Sequence, residues 1–172
     1  YKAELVPVGK DQLPHIELTR EVARKFNRLF GQVFPEPARF SAKVELVPSL
    51  TGQGKMSKSV ANSFILLTDD LATIKKRLAK VPTDMGQGKQ VPQKGGVATL
   101  LTLVELFESS QARSEYEKAY LHQGLKYSLL KEKLAQAIFK ELKPIQERRR
   151  YFISHPQEVD KILEKGRVYC SK

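Results

Sequence analysis

The feature that most constrains this chain is a change of period near residue 68. Before it, short β-leaning runs alternate with one amphipathic segment; after it, every periodic segment repeats at helical spacing. Ala3–Val8 is apolar and stops at Gly9, and Pro7 confines it to a strand end or a sheet edge. From Leu13 to Phe30, Ile16, Val22, Phe26, Leu29 and Phe30 recur at helical spacing, with charged residues between them. Gly31 ends that helix, and Pro35 and Pro37 prevent its resumption. Val44–Leu50 reads as a second strand before a glycine-rich, basic loop, Thr51–Ser59, and Phe64–Leu67 allows a further short extended piece. Strand, helix, strand, loop is the order of an α/β unit.

The remainder reads as all-α. Thr68, Asp69 and Asp70 supply an N-cap and first-turn acids for a helix to about Lys80, and 81–96 is a loop. Val97–Glu108 is apolar enough for a core helix, and Ser114–His122 is a shorter one closed by Gln123 and Gly124. Tyr127–Phe152 carries an inner stripe of Leu129, Leu130, Leu134, Ile138, Phe139, Leu142 and Ile145. Pro144 predicts a kink or a split there. Ser154 or His155 then caps a last helix that Pro156 begins and Gly166 ends. The fold class is therefore α/β plus all-α, divided as 1–68 and 69–172.

Charge follows the same division. The chain of 172 residues has 30 Lys and Arg against 19 Asp and Glu, a net +11. Residues 1–70 hold 10 basic and 8 acidic side chains, whereas 71–172 hold 20 and 11. Such an excess serves a polyanion, either nucleic acid or an anionic membrane face, or is simply a solvated surface. No apolar run approaches the roughly 20 residues of a membrane span. The lone Cys170 excludes an intramolecular disulfide framework and fits a reducing, cytoplasmic setting.

Two segments could carry chemistry. Gly9, Lys10, Asp11 and Gln12 lie between strand and helix, where glycine admits a ligand to the backbone and helix amides face an anion. The same four residues also suit an ordinary helix cap. The second segment is Lys55, Met56, Ser57, Lys58 and Ser59, preceded by Gly52 and Gly54. Two lysines three apart on a mobile loop suit a polyphosphate whose charge must be neutralised as it departs.

The string Lys55–Ser59, KMSKS, is a signature of class I aminoacyl-tRNA synthetases. The run VPVGKDQLPHIELTREVARKFN at 6–27 resembles the tryptophanyl-tRNA synthetase family. So do Phe30-Gly31, Phe34-Pro35, the 46 positions from Gly9 to Lys55, Thr83-Asp84, GGVATLL at 95–101 and PIQER at 144–148. The similarity covers nearly the whole chain. It implies the second part of a Rossmann-type nucleotide-binding domain, followed by a helical anticodon-binding bundle.

The resemblance also implies roles. Gly9, Lys10 and Asp11 would line the ATP site, with Gln12 beside ribose and substrate. Val6 and Val8 would wall the indole, and the backbone near Val47 would meet adenine. Lys55 and Lys58 would hold the pyrophosphate end as catalytic cations, with Met56, Ser57 and Ser59 completing the contacts. The reaction implied is attack of the L-tryptophan carboxylate on the α-phosphorus of Mg2+-bound ATP, then transfer to tRNA(Trp), in a homodimeric cytoplasmic enzyme. Arg148, Arg149 and Arg150 and lysines 126, 131, 133, 140 and 143 would track tRNA phosphates, with Tyr127, Tyr151 or Phe152 stacking on a base. Two departures stand out. Position 10 is Lys where many relatives carry an acid. The family's HIGH-type signature and the acidic residue that reads the indole N–H are not in the sequence, so the chain by itself is expected not to form adenylate. The competing readings are the tyrosyl-tRNA synthetase family, which shares the G-x-D-Q segment, and a non-catalytic tRNA-binding module.

Overall fold

The structure is a computed structural model that describes residues 2–40 and 46–171. It divides into two compact units, Tyr1–Leu46 and Val47–Lys172.

In the first unit, strand β1 (Leu5–Pro7) leads through a single 3-10 turn (Lys10–Gln12) into helix α1 (Leu13–Phe30), which returns to strand β2 (Ala38–Phe40). The strands pair in parallel, Leu5 with Ala38, Val6 with Arg39 and Pro7 with Phe40, so the unit is a short βαβ. Gly31, at φ 86°, ends α1. Asn27 then organises the exit. Its Oδ1 accepts the N–H groups of Val33 and Phe34, both at 3.0 Å, and its Nδ2 donates to the Phe34 carbonyl at 2.8 Å. The second strand expected at Val44–Leu50 is corrected by this pairing. Val44 and Glu45 lie outside the described residues, and the strand partner of β1 is Ala38–Phe40 instead. Leu46–Leu50 does not join this sheet: Pro48 bridges antiparallel to Lys55 instead, and the Ser49 N–H donates to the Gly54 carbonyl at 3.1 Å. Residues 64–67 form no strand either, because the Leu66 N–H goes to Asp69 Oδ2 at 2.9 Å.

The second unit holds α2 (Leu71–Ala79), α3 (Gly95–Phe107), α4 (Ser110–His122), α5 (Tyr127–Ser154) and α6 (Pro156–Cys170). Asp70 caps α2 by accepting the Thr73 N–H at 2.7 Å. Helix α4 starts four residues before the expected Ser114, because Ser109 is the better cap: its hydroxyl accepts the Ala112 N–H at 3.0 Å. Helix α5 runs unbroken through Pro144 rather than splitting there. Helix α6 continues past Gly166 to Cys170; a Cβ there would point into open space, so the glycine's cost is propensity alone, about 1 kcal/mol.

The core is built around α3, which packs on α4 and α5, while α2 packs on α5. Leu100, Leu101, Val104, Ile74, Leu78, Leu130, Leu134 and Ile138 are buried. The stripe read along α5 is narrower than expected, since Leu129 and Ile145 are 58% and 51% exposed. Leu106, within the segment read as a core helix, is also exposed, and Phe107 and Phe139 pack at the core's margin. Between α2 and α5, Asp69 is buried against Arg77 (Oδ2 to Nε, 2.7 Å), and the Arg77 guanidinium sits 4.8 Å above the Phe64 ring. Gln146 of α5 donates to the carbonyls of Leu67 (2.9 Å) and Asp69 (3.0 Å), which fixes the entry to α2.

Candidate active site

The loop bearing Lys55–Ser59 is framed by backbone. Pro48 and Lys55 form an antiparallel bridge, and the Met56 N–H donates to the Val47 carbonyl at 2.9 Å. Gly52 and Gly54 both take positive φ, 80° and 67°. Gly52 also has a packing reason to be glycine, since a Cβ there would lie 2.5 Å from the Gly96 amide nitrogen. Gly96 is itself pressed on the Pro82 carbonyl, 2.0 Å from where its Cβ would be. The turn before the signature is thus a backbone-on-backbone crossing against the start of α3. Thr99 of α3 secures it by donating to the Ser49 carbonyl at 3.1 Å.

On this frame Lys55, Lys58 and Ser59 are exposed, and Met56 and Ser57 are half-buried, with Met56 packed on the core. The Ser57 and Ser59 hydroxyls are 2.8 Å apart. The arrangement presents two cations and two hydroxyls to solvent on a fixed base, which is what neutralising a polyphosphate requires. A cleft of about 510 Å³ runs beside the base of the loop, lined by residues of 52–54 and 93–102; neither lysine lines it.

The other predicted segment belongs to the first unit. Gly9 precedes the 3-10 turn in extended backbone, with φ −71° and ψ 169°, and its carbonyl accepts the Gln12 N–H at 3.1 Å. Lys10, Asp11 and Gln12 are exposed and Gly9 is half-buried. Val6 lines an apolar cavity of about 420 Å³ with Ile16, Val22, Ala23 and Phe34, whereas Val8 does not. Among the described residues no group of three His, Cys, Asp or Glu is placed to hold a metal ion.

A family model for class I tRNA synthetases (W and Y) matches residues 1–143. The chain belongs to this family. A tryptophan–tRNA ligase from Chlamydia caviae is 39% identical over 167 residues, covering 96% of this chain and 48% of the relative. The structure is similar to tryptophanyl-tRNA synthetase from Campylobacter jejuni complexed with ADP and tryptophan, with TM-score 0.68 and 26% identity over 95% of this chain and 51% of that one. Tyrosyl-tRNA synthetase from Aeropyrum pernix shares the fold, with TM-score 0.61 and 20% identity over 84% of this chain and 43% of its own. The chain spans about half the length of the curated relatives it matches.

In this class I synthetase chain the basic helical residues divide into two groups. Arg148, Arg149 and Arg150 are exposed on α5, as are lysines 133, 140 and 143, and Lys126 is exposed at its N-cap. Lys131 differs. Its Nζ donates to the carbonyls of Val81 (2.9 Å) and Ala79 (3.2 Å) at the C-terminus of α2, and burial lowers its pKa. Tyr127 is likewise engaged, donating to Asp84 Oδ1 at 2.6 Å; burial and that carboxylate hold its phenol well above the ordinary range. Tyr151 is stacked on His155 at 4.2 Å. Lys131 and Tyr127 thus each have a partner within the fold, whereas among the described residues no such side-chain bond engages the exposed run of three arginines.

The sequence gives Thr83-Asp84 only as part of a family resemblance; folding makes Asp84 an organising centre. Asp84 accepts from Tyr127, from Tyr120 (2.7 Å) and from the Gly86 N–H (2.8 Å). Burial pushes its carboxyl up, but these bonds together outweigh it and lower the pKa. Ser63, fully buried behind the signature loop, is also missed by reading the sequence. The one signal for it is a lone serine opening the apolar run Phe64–Leu67.

Proposed function

We propose that this chain is the part of a tryptophan–tRNA ligase that carries the KMSKS loop and a helical tRNA-binding region, within residues 1–68 and 69–172 respectively. The observation that carries this reading is the unbroken Lys55–Ser59 signature on a backbone-framed loop, in a chain 39% identical to a tryptophan–tRNA ligase along nearly its whole length. The whole enzyme activates L-tryptophan with Mg2+-bound ATP and transfers it to tRNA(Trp), as a cytoplasmic homodimer.

Lys55 and Lys58 neutralise the pyrophosphate as it leaves the α-phosphorus, and Met56, Ser57 and Ser59 hold the loop around it. Gly9, Lys10, Asp11 and Gln12 line the nucleotide site through backbone and polar side chains. Val6 and Val8 bound the indole, and the backbone at Val47 meets adenine. No general base is required, because the tryptophan carboxylate is already the nucleophile; positioning and charge stabilisation carry the rate. The 172-residue chain by itself does not form adenylate.

The test is a chimera in which this chain replaces the matched half of the Chlamydia caviae relative. Tryptophan-dependent ATP–pyrophosphate exchange is expected, with Lys58→Ala reducing kcat by about 100-fold or more, the scale of removing one group that stabilises transition-state charge. A chimera that selects tyrosine overturns the substrate assignment, and exchange above blank by the 172-residue chain alone overturns its incompleteness. For the helical region, replacing Arg148, Arg149 and Arg150 by Ala should weaken tRNA binding and shallow its salt dependence, by roughly one unit of slope for each phosphate no longer neutralised.

A further inference from the structure

Ser63 lies four residues beyond the signature and is fully buried. A buried hydroxyl is tolerated only where it is hydrogen-bonded, and here both of its bonds go to the backbone of a single residue of the signature. Ser63 Oγ accepts the Ser57 N–H at 3.2 Å and donates to the Ser57 carbonyl. The backbone of Ser63 is anchored in turn, since its carbonyl accepts the N–H of Leu50, a core residue 1% exposed, at 2.9 Å. The Ser63 N–H closes a turn onto the Val60 carbonyl at 3.3 Å.

Ser57 is a residue between the two lysines. Holding both its N–H and its C=O from one side fixes the path of the chain there, and with it the directions in which Lys55 and Lys58 leave the backbone. We propose that Ser63 is a positioning residue for the KMSKS loop, which sets the Ser57 backbone so that Lys55 and Lys58 converge on one polyphosphate. This rests on the reading of those lysines given above. Preorganised cations bind and stabilise departing phosphate better than cations that must first be ordered. The two solvent-facing hydroxyls, Ser57 and Ser59, are left to each other and to ligand, while the buried one does the holding.

The experiment uses the 172-residue chain and inorganic pyrophosphate as the probe, with affinity measured by calorimetry and the Ser57 amide followed by hydrogen exchange. The variants are Ser63→Ala, Ser63→Cys (which fills the same space with a poor hydrogen-bonding group) and the Lys55→Ala/Lys58→Ala double. The expected result is a pyrophosphate affinity about tenfold weaker in Ser63→Ala and Ser63→Cys, the scale of removing one to two hydrogen bonds. Faster exchange at Ser57 and an intact helical melt should accompany it. Unchanged affinity alongside diminished Ser57 protection overturns the proposal and leaves Ser63 a packing residue. Unchanged Ser57 protection overturns the geometry on which it stands. Failure of both Ser63 variants to fold assigns the residue to stability alone and overturns it too. A chain that binds no pyrophosphate, or binds it equally without Lys55 and Lys58, overturns the phosphate-holding role of the lysines, and the positioning role with it.

Discussion

The two units treat similar helical patterns in opposite ways. In the helical unit, α3 places Leu100, Leu101, Leu103 and Val104 at 1% exposure or less. In the βαβ unit, α1 has a comparable supply of apolar residues, yet only Ile16 and Ala23 are buried along it. Leu18, Val22, Leu29 and Phe30 are 58–77% exposed, and so are Leu5 and Phe40 on the strands, at about 60%. Periodicity says that a face exists. Whether it is covered depends on having enough neighbours, and two three-residue strands offer too little area to cover an 18-residue helix.

The sharpest way to break this comparison is to strike the packed unit first and the open face last. Leu100→Ala should lower unfolding stability by about 3–5 kcal/mol in chemical denaturation, because its site is closed on all sides. Asp69→Ala should cost about 3 kcal/mol in the same assay, since it strands Arg77 without its partner. A loss below about 1 kcal/mol for either would mean that the helical unit is not the stability centre.

Asp84 provides a smaller, pH-resolved test. Its carboxyl titrates below its ordinary value when folded, so its contribution is present above the unfolded value and is lost as pH falls through the lower folded one. Asp84→Asn should remove that acid-side loss and, near neutral pH, lower stability by about 1 kcal/mol, the small end of the range because the carboxylate is partly open to water. Thermal melts between the two pH limits would show it. Least of all, Val22→Ala on the exposed face of α1 should change stability by no more than about 0.5 kcal/mol. A larger loss would show that this face is covered in solution.

Much of this is legible in the sequence, and the reasons are local. The cap at Asp70, the proline that opens α6 at Pro156 and the stop at Gly31 work through near neighbours in the chain, so α1, α2 and the start of α6 can be read directly. The KMSKS string is legible for the same reason. What escapes depends on partners far along the chain. The partner of β1 is set by pairing across α1 rather than by the most apolar run, and Lys131 looks like a surface charge until α2 is placed with its carbonyls within reach. The roles of Asp84 and Ser63 come from partners brought together only by folding, which no spacing rule anticipates.

The crossing at Gly52 and Gly96 bears on how this chain can drift. Every amino acid reachable from a glycine codon by a single base change carries a Cβ. At these two positions that atom would land 2.5 Å from an amide nitrogen and 2.0 Å from a carbonyl oxygen, both in backbone that cannot swing aside. A saturation library should therefore return almost nothing but glycine at both positions. Such invariance would be the mark of two main chains touching, with no ligand required to explain it.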